Sequence, residues 1–318
     1  MANKGLVMAF DAPYSPSDPN YTDWVTYGQP NVSGATLSAP WNTYETSPGV
    51  YNFSTLDTHL SSFTGKVAVA FYPQSLQAAT QYIPTAYYNQ IPSNHIVSCT
   101  EGANNVGPMV VPWDDIYLSA WENFIEAAIA HYNSNRILSY MRFGFLRGGQ
   151  TSIQCNEQLA YVAGGFTALQ ELYIEAYEDM IDTIVAANSS TPVQIETACG
   201  PNGSGSNSGD CTDYADLMAA YNAPNCIGIG TGGFQPADLI TNPASGDWVN
   251  NFNRFRFTGM ARELQPLVSG YDLSLLMPFA EKNYANVVEL QLAYVATAFV
   301  PPGNASWATA ITNFMNGT

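Results

Sequence analysis

Carboxylates, guanidinium groups and one amide recur just past short apolar runs along this chain of 318 residues. Asp11 closes GLVMAF. Arg142, Arg147 and Gln150 lie on or just after LSYMRFGF. Glu196 closes VQIE, Glu281 follows LSLLMPFA, and Glu289 sits in VVEL. Carboxylates so placed can hand over a proton, take one, or attack as nucleophiles, and a nearby Arg can orient them and lower their pKa. VQIETA is the most informative stretch. Period two puts Val193 and Ile195 on one face and Gln194 and Glu196 on the other. An inward Glu is costly unless it is paired or used, so Glu196 either touches a ligand or braces Arg142. Trp41, Tyr72 and Trp113 could offer ring faces beside these polar groups. Packing is the alternative for each of them.

The elements that must position these groups alternate between strand and helix patterns, which predicts a parallel α/β architecture. Strands are predicted at Gly5–Phe10, Ala35–Pro40, Lys66–Tyr72, Leu138–Phe145, Val193–Ala198, Ile227–Phe234, Leu273–Ala280 and from Val287 onward. Helices are predicted at Trp113–Asn133, at Glu157–Ala187 with a break at Gly164-Gly165, and over most of Asp247–Leu267. Pro73 to about Pro112 reads as one long loop. Eight strands in sequence with no linker predict a (β/α)8 TIM barrel, a single domain over 1–318 with long loops on its C-terminal face. That face is where such barrels carry their chemistry.

Composition narrows the ligand. The net charge is −17, yet only 11% of residues are charged and just nine are Lys or Arg. Nucleic acid and anionic polysaccharide are poor partners for so few cations, and a neutral or basic ligand is easier. No apolar run is long enough to predict a membrane span. Five cysteines form no CxxC pair, and the three His are far apart, so neither a metal nor an organic cofactor is implied. Gly228–Gly233 contains G-x-G-x-x-G but lacks the following helix and acidic residue of a dinucleotide site. Cysteines set in loops with few Lys predict a secreted protein. Met1–Lys4 read as a start that replaced a secretory leader. Cys99 with Cys155, and Cys199 with Cys211, are the predicted disulfides, leaving Cys226 as a buried thiol.

Residues 41–57, WNTYETSPGVYNFSTLD, resemble the second-strand signature W-x-x-x-E-x-x-x-G-x-Y-x-F-x-x-L-D of the large (β/α)8 clan of retaining glycoside hydrolases, which includes cellulases, xylanases and β-galactosidases. RILSYMRFGFLRGGQ at 136–150 is similar to the clan's fourth strand, Y-x-R-x-G followed by G-G-E. The resemblance implies an O-glycosidase acting on an oligo- or polysaccharide by double displacement, with Glu45 structural. It places the acid/base at Gln150 and the nucleophile at Glu281, with Glu289 and then Glu196 as rivals. It also implies sugar contacts at Asp11, Trp41, Tyr72, Trp113, Arg142, Arg147, Glu196 and Glu289.

Gln150 departs from that pattern. An amide cannot protonate a leaving oxygen or activate water, though it keeps the shape of a Glu. Three readings stay open: a deliberate Glu→Gln inactivation, another carboxylate serving in its place, or a natural pseudoenzyme that only binds carbohydrate. Oligomeric state is not legible.

Overall fold

The computed structural model describes residues 6–10, 17–74, 81–99, 107–133, 135, 138–145, 156–187, 189–197, 228–234, 262–266, 272–282 and 287–317. Its strands are β1 (Leu6–Phe10), β2 (Gly34–Pro40), β3 (Glu45–Ser47), β4 (Val50–Tyr51), β5 (Lys66–Tyr72), β6 (Ile96–Cys99), β7 (Gly107–Val110), β8 (Leu138–Phe143), β9 (Val193–Thr197), β10 (Gly228–Phe234), β11 (Arg262–Pro266) and β12 (Val287–Gln291). Eight of them pair in parallel around a closed ring, in the order β1, β2, β5, β8, β9, β10, β11, β12 and back to β1. The others form two small antiparallel pairs, β3 with β4 and β6 with β7.

The described helices are α1 (Tyr21–Asp23), α2 (Trp41–Tyr44), α3 (Ser54–Ser62), α4 (Thr85–Tyr88), α5 (Asp115–Tyr132), α6 (Asn156–Ala163), α7 (Phe166–Ala186), α8 (Leu273–Lys282), α9 (Leu292–Phe299) and α10 (Ala305–Asn316). The connections from β9 to β10 and from β10 to β11 lie outside the described residues. What is shown is therefore an α/β fold with a curled parallel sheet and helices outside it.

Period two sorts the strand residues between two environments. In KVAVAFY, Val67, Val69 and Phe71 join the large outer core against α5 and α7, whereas Ala68 joins a small cluster with Met8, Tyr140 and Val287. That small cluster fills the lower lumen. The register slips between Val67 and Ala68, which face Leu138 and Tyr140 respectively. The extra residue, Ser139, lets Leu138 face the outer core while Tyr140 faces inward. Gly34 is required by a close approach: a Cβ there would lie 1.7 Å from the Lys66 carbonyl oxygen.

Helix α5 starts where Asp114 caps it, accepting the Tyr117 N–H at 2.9 Å. Its buried face runs through Tyr117, Trp121, Phe124, Ala128 and Tyr132 at helical spacing. The break predicted at Gly164-Gly165 is present, with φ of 90° and 137° separating α6 from α7. The segment predicted as one long loop after the third barrel strand instead holds α4 and the β6–β7 hairpin. Gln74, fully buried, ties that hairpin to the end of β5: its Oε1 accepts the Val110 N–H at 2.7 Å and its Nε2 donates to the Val110 carbonyl at 3.2 Å.

A second prediction is overturned. LSLLMPFA is not the seventh strand but the body of helix α8, and the seventh barrel strand is β11, inside the stretch predicted as helix. A short apolar run does not distinguish a strand from a buried helix turn. Burial settles it: Leu273, Leu276, Met277 and Ala280 are buried while Leu275 is 60% exposed, the i, i+3, i+4, i+7 pattern of a helix. RELQP carries one aliphatic side chain and so gives no apolar signal. Leu276→Ala is expected to cost about 2–5 kcal/mol and Leu275→Ala under about 0.5 kcal/mol, measured by urea unfolding. Equal costs would contradict the helix.

The seam between α5 and α7 is acidic, with Asp115, Glu122, Asp179 and Asp182 lining one surface hollow. Burial, then Asp179 and Glu126, push the Glu122 carboxyl up from 4.5 to about 6. Folded protein therefore holds this proton more tightly than unfolded protein, and stability falls as pH rises from about 4.5 through 6. Glu122 is half exposed, so the effect is screened to under about 1 kcal/mol. Glu122→Gln is expected to raise the melting temperature at pH 7 and leave it unchanged near pH 4, in paired thermal scans.

Candidate functional site

The C-terminal end of the closed sheet can be built wall by wall. On β8, Tyr140 and Arg142 face the lumen, and on β12 Val287 and Glu289 do the same. Arg142 Nη1 donates to Glu289 Oε2 at 3.0 Å, and both residues are 0% exposed. The guanidinium carbon stands 5.7 Å from the centre of the Tyr140 ring, so the cation rests on an aromatic face. Gln194, also fully buried, is the register partner of Arg142 on β9.

Beside them, β2 presents Thr36 and Ser38 on the face opposite Ala35, Leu37 and Ala39. Three atoms in this layer, Glu289 Oε1, Thr36 Oγ1 and Ser38 Oγ, are buried with no hydrogen-bond partner among the described residues. The result is a graded lumen, apolar below and polar toward the mouth.

The predicted site residues separate. Asp11, Arg147 and Gln150 lie outside the described residues, as do the side chains of Glu196 and of all five cysteines. The backbone of Glu196 is next to the last residue of β9, level with Gly230 on β10. Glu281 is corrected: it is exposed, in the last turn of α8 on the helical layer, and lines a hollow with Ser306, Thr309 and Asn313 of α10. A helix leading from β11 into β12 delivers that turn toward the start of β12, away from the strand ends.

Trp41 is corrected as a sugar contact. It is 0% exposed, its ring packs 5.3 Å from Trp121, and its indole N–H donates to Glu45 Oε2 at 2.5 Å. Arg142 and Glu289 are as fully covered as Trp41, which makes them a floor rather than direct contacts. Tyr72 ends β5 beside Pro40, 5% exposed and edge-on to Tyr82. Trp113 is half buried against the outer core, one residue before the α5 cap.

Sequence reasoning missed Thr36, Ser38 and Tyr140. Strict alternation in ATLSAP carried the signal for the first two. For Tyr140 the slip at Ser139 broke the pattern.

The wall beside the mouth is organised by Glu45, itself 1% exposed. Its carboxylate accepts from Trp41 Nε1, from the Gly49 N–H at 2.7 Å and from the Tyr87 hydroxyl at 2.8 Å. Burial and this carboxylate push the Tyr87 phenol well above its ordinary range, and Tyr51 up to about 12. The hairpin is held a second time by His95 Nδ1, 2.8 Å from Asp114 Oδ2. Among the described residues no group of three or more His, Cys, Asp or Glu could hold a metal ion, and no helix is long and apolar enough to cross a membrane.

No family model and no curated protein matches this chain. Solved structures do. The chain is similar to the catalytic domain of a β-amylase from Paenibacillus polymyxa, with a TM-score of 0.62 and 7% identity over 99% of this chain and 98% of that one. It is similar to a β-galactosidase from Marinomonas ef1, with a TM-score of 0.55 and 9% identity, and spans about half that protein, covering 53% of it. An endo-glycoceramidase II from Rhodococcus sp. matches with a TM-score of 0.52 and 10% identity over 97% of this chain and 78% of that one. At these identities the likeness is one of fold: the chain has the barrel-type fold on which these glycoside hydrolases are built.

Glu45→Ala would leave three donors without their acceptor. The expected cost is about 3 kcal/mol, read by urea unfolding, and a cost under about 1 kcal/mol would show that the hub is dispensable.

Proposed function

We propose that this chain is a carbohydrate-active protein of the glycoside hydrolase type, acting on O-glycosidic bonds of a neutral oligo- or polysaccharide. The proposed frame is a complete (β/α)8 barrel in one domain over 1–318. The observation that carries the reading is the end-to-end likeness to a β-amylase catalytic domain, 99% of one chain on 98% of the other. The polar layer at the sheet's C-terminal end supports it, since that is where barrels of this kind do chemistry. A low content of Lys supports an extracellular setting, with Cys99–Cys155 and Cys199–Cys211 as the proposed disulfides.

With Glu281 on the helical layer, the proposed nucleophile moves to Glu196. It lies at the end of β9, next to β8 in the ring, and position 150 follows β8. Double displacement requires the two carboxyl groups to stand roughly 5–5.5 Å apart. In that scheme Glu196 attacks the anomeric carbon. A carboxylic acid at 150 protonates the leaving oxygen and then deprotonates the water that releases the sugar. Gln150 can do neither, so the chain as it stands is crippled for unactivated glycosides. Asp11, Arg147, Tyr72 and Trp113 remain proposed sugar contacts.

A second reading, a barrel that binds sugar without cleaving it, is favoured by one observation. The seventh strand, β11, is Arg-Glu-Leu-Gln-Pro, so Gln265 stands near its C-terminal end where a carboxylate would serve.

The test is Gln150→Glu assayed on neutral α- and β-linked gluco- and galacto-oligosaccharides. The hydrolase reading expects turnover to rise by on the order of 10²-fold or more. Unchanged turnover with retained binding leaves the binder, and no binding by either form removes both readings.

A further inference from the structure

Resting on the sugar-handling reading above, we infer that the Arg142–Glu289 pair is a positioning element for the ligand site and not a stabilising one. β8 and β12 stand four places apart in a ring of eight strands, so the 3.0 Å contact joins opposite walls of the barrel. It holds the two strands at a fixed separation just below the ends that carry the proposed ligand-facing residues.

The cost of the pair argues against a stability role. Both charges are 0% exposed, and desolvating a buried ion pair commonly outweighs the attraction it gains. Its satisfaction is incomplete as well, because Glu289 Oε1 has no partner among the described residues, and neither does Thr36 Oγ1 on β2. Barrel lumens are ordinarily filled by branched apolar side chains. One layer lower this chain fills its lumen with apolar and aromatic side chains, Met8, Ala68, Tyr140 and Val287. On two facing walls polarity begins at the next inward position, Tyr140 giving way to Arg142 and Val287 to Glu289, while β5 stays apolar with Ala70. A layer that departs from apolar filling only on the mouth side is placed for recognition. The two charges of the pair cancel, and a neutral pair suits an uncharged hydroxyl-bearing ring above it better than a sugar acid or an amino sugar.

The experiment compares the wild-type chain with the Arg142→Met/Glu289→Leu double variant, Glu289→Leu alone and Arg142→Lys. Melting temperature is measured for each. Affinity is measured by calorimetry for a neutral oligosaccharide that the wild-type chain binds. The double variant is expected to melt at or above the wild-type temperature yet bind at least about tenfold more weakly. Glu289→Leu alone, which removes the carboxylate paired with a buried cation, is expected to melt lower. Arg142→Lys, which keeps the charge, is expected to recover part of the affinity. A double variant that fails to fold, or that melts lower while its folded form binds as tightly as wild type, overturns the inference and leaves the sugar reading standing. Absence of binding by the wild-type chain to every neutral sugar tried, or tighter binding of an amino sugar, overturns the inference, and the first of these removes the sugar reading as well.

Discussion

A parallel sheet that closes on itself must fill its own interior, and that requirement governs what each strand can carry. Every inward side chain competes with those of the opposite wall for one small volume at close-packed density. Bulk on one strand therefore demands economy on another. Arg142 and Tyr140 can both turn inward from β8 because the neighbouring inward positions on β5 are Ala68 and Ala70. β10 contributes glycine at 228, 230 and 232, alternate positions of one strand. Within that economy a contact from Arg142 to Glu289 spans the lumen, and on those two strands it sits where the filling changes from apolar to polar.

The outer face answers to a different constraint. Helices α5 and α7 press a continuous aromatic and aliphatic layer onto β2, β5 and β8, and Trp41 locks the top of that layer among Trp121, Phe124 and Tyr87. A buried indole needs an acceptor and a buried carboxylate needs donors. Glu45 and Trp41 meet both needs across one short turn, and Gly49 and Tyr87 complete the set. The spacing W-x-x-x-E-x-x-x-G thus has a mechanical meaning here: it turns the chain leaving β2 and gives α4, through Tyr87, a surface to lean on. Gln74 and the His95–Asp114 contact fasten the hairpin that follows α4, so the wall beside the mouth is fixed at several points.

Much of this was legible in the sequence. Lys66–Tyr72 alternates cleanly and matches the observed strand from end to end, and the glycine pair at 164–165 marked the break between α6 and α7. The seventh strand was not legible, because β11 is nearly all polar and an apolar helix follows it closely enough to take its place in the count. Glu281 fell with that strand, since its assignment to the mouth rested only on following it. Trp41 shows the converse limit. A residue type that can stack on a sugar can also fill a core, and only burial distinguishes the two. Arg142 and Glu289 were named from their neighbourhoods in sequence, but their contact across the ring lies 147 positions apart and no local pattern reports it.

The amides bear on what such a barrel can do. Shape and charge separate cleanly when Gln stands where Glu would serve: hydrogen-bonding geometry survives, while proton transfer does not. On the reading proposed above, a barrel with Gln at 150 and at 265 keeps the shape that holding a ligand in one orientation requires. It keeps fewer groups able to break a bond. Holding and cleaving draw on the same scaffold but on different atoms, since electrostatic stabilisation needs fixed dipoles and acid–base work needs a titratable proton. Carboxylates at the strand ends decide the second, and among the positions following β8 and closing β9 only Glu196 is one.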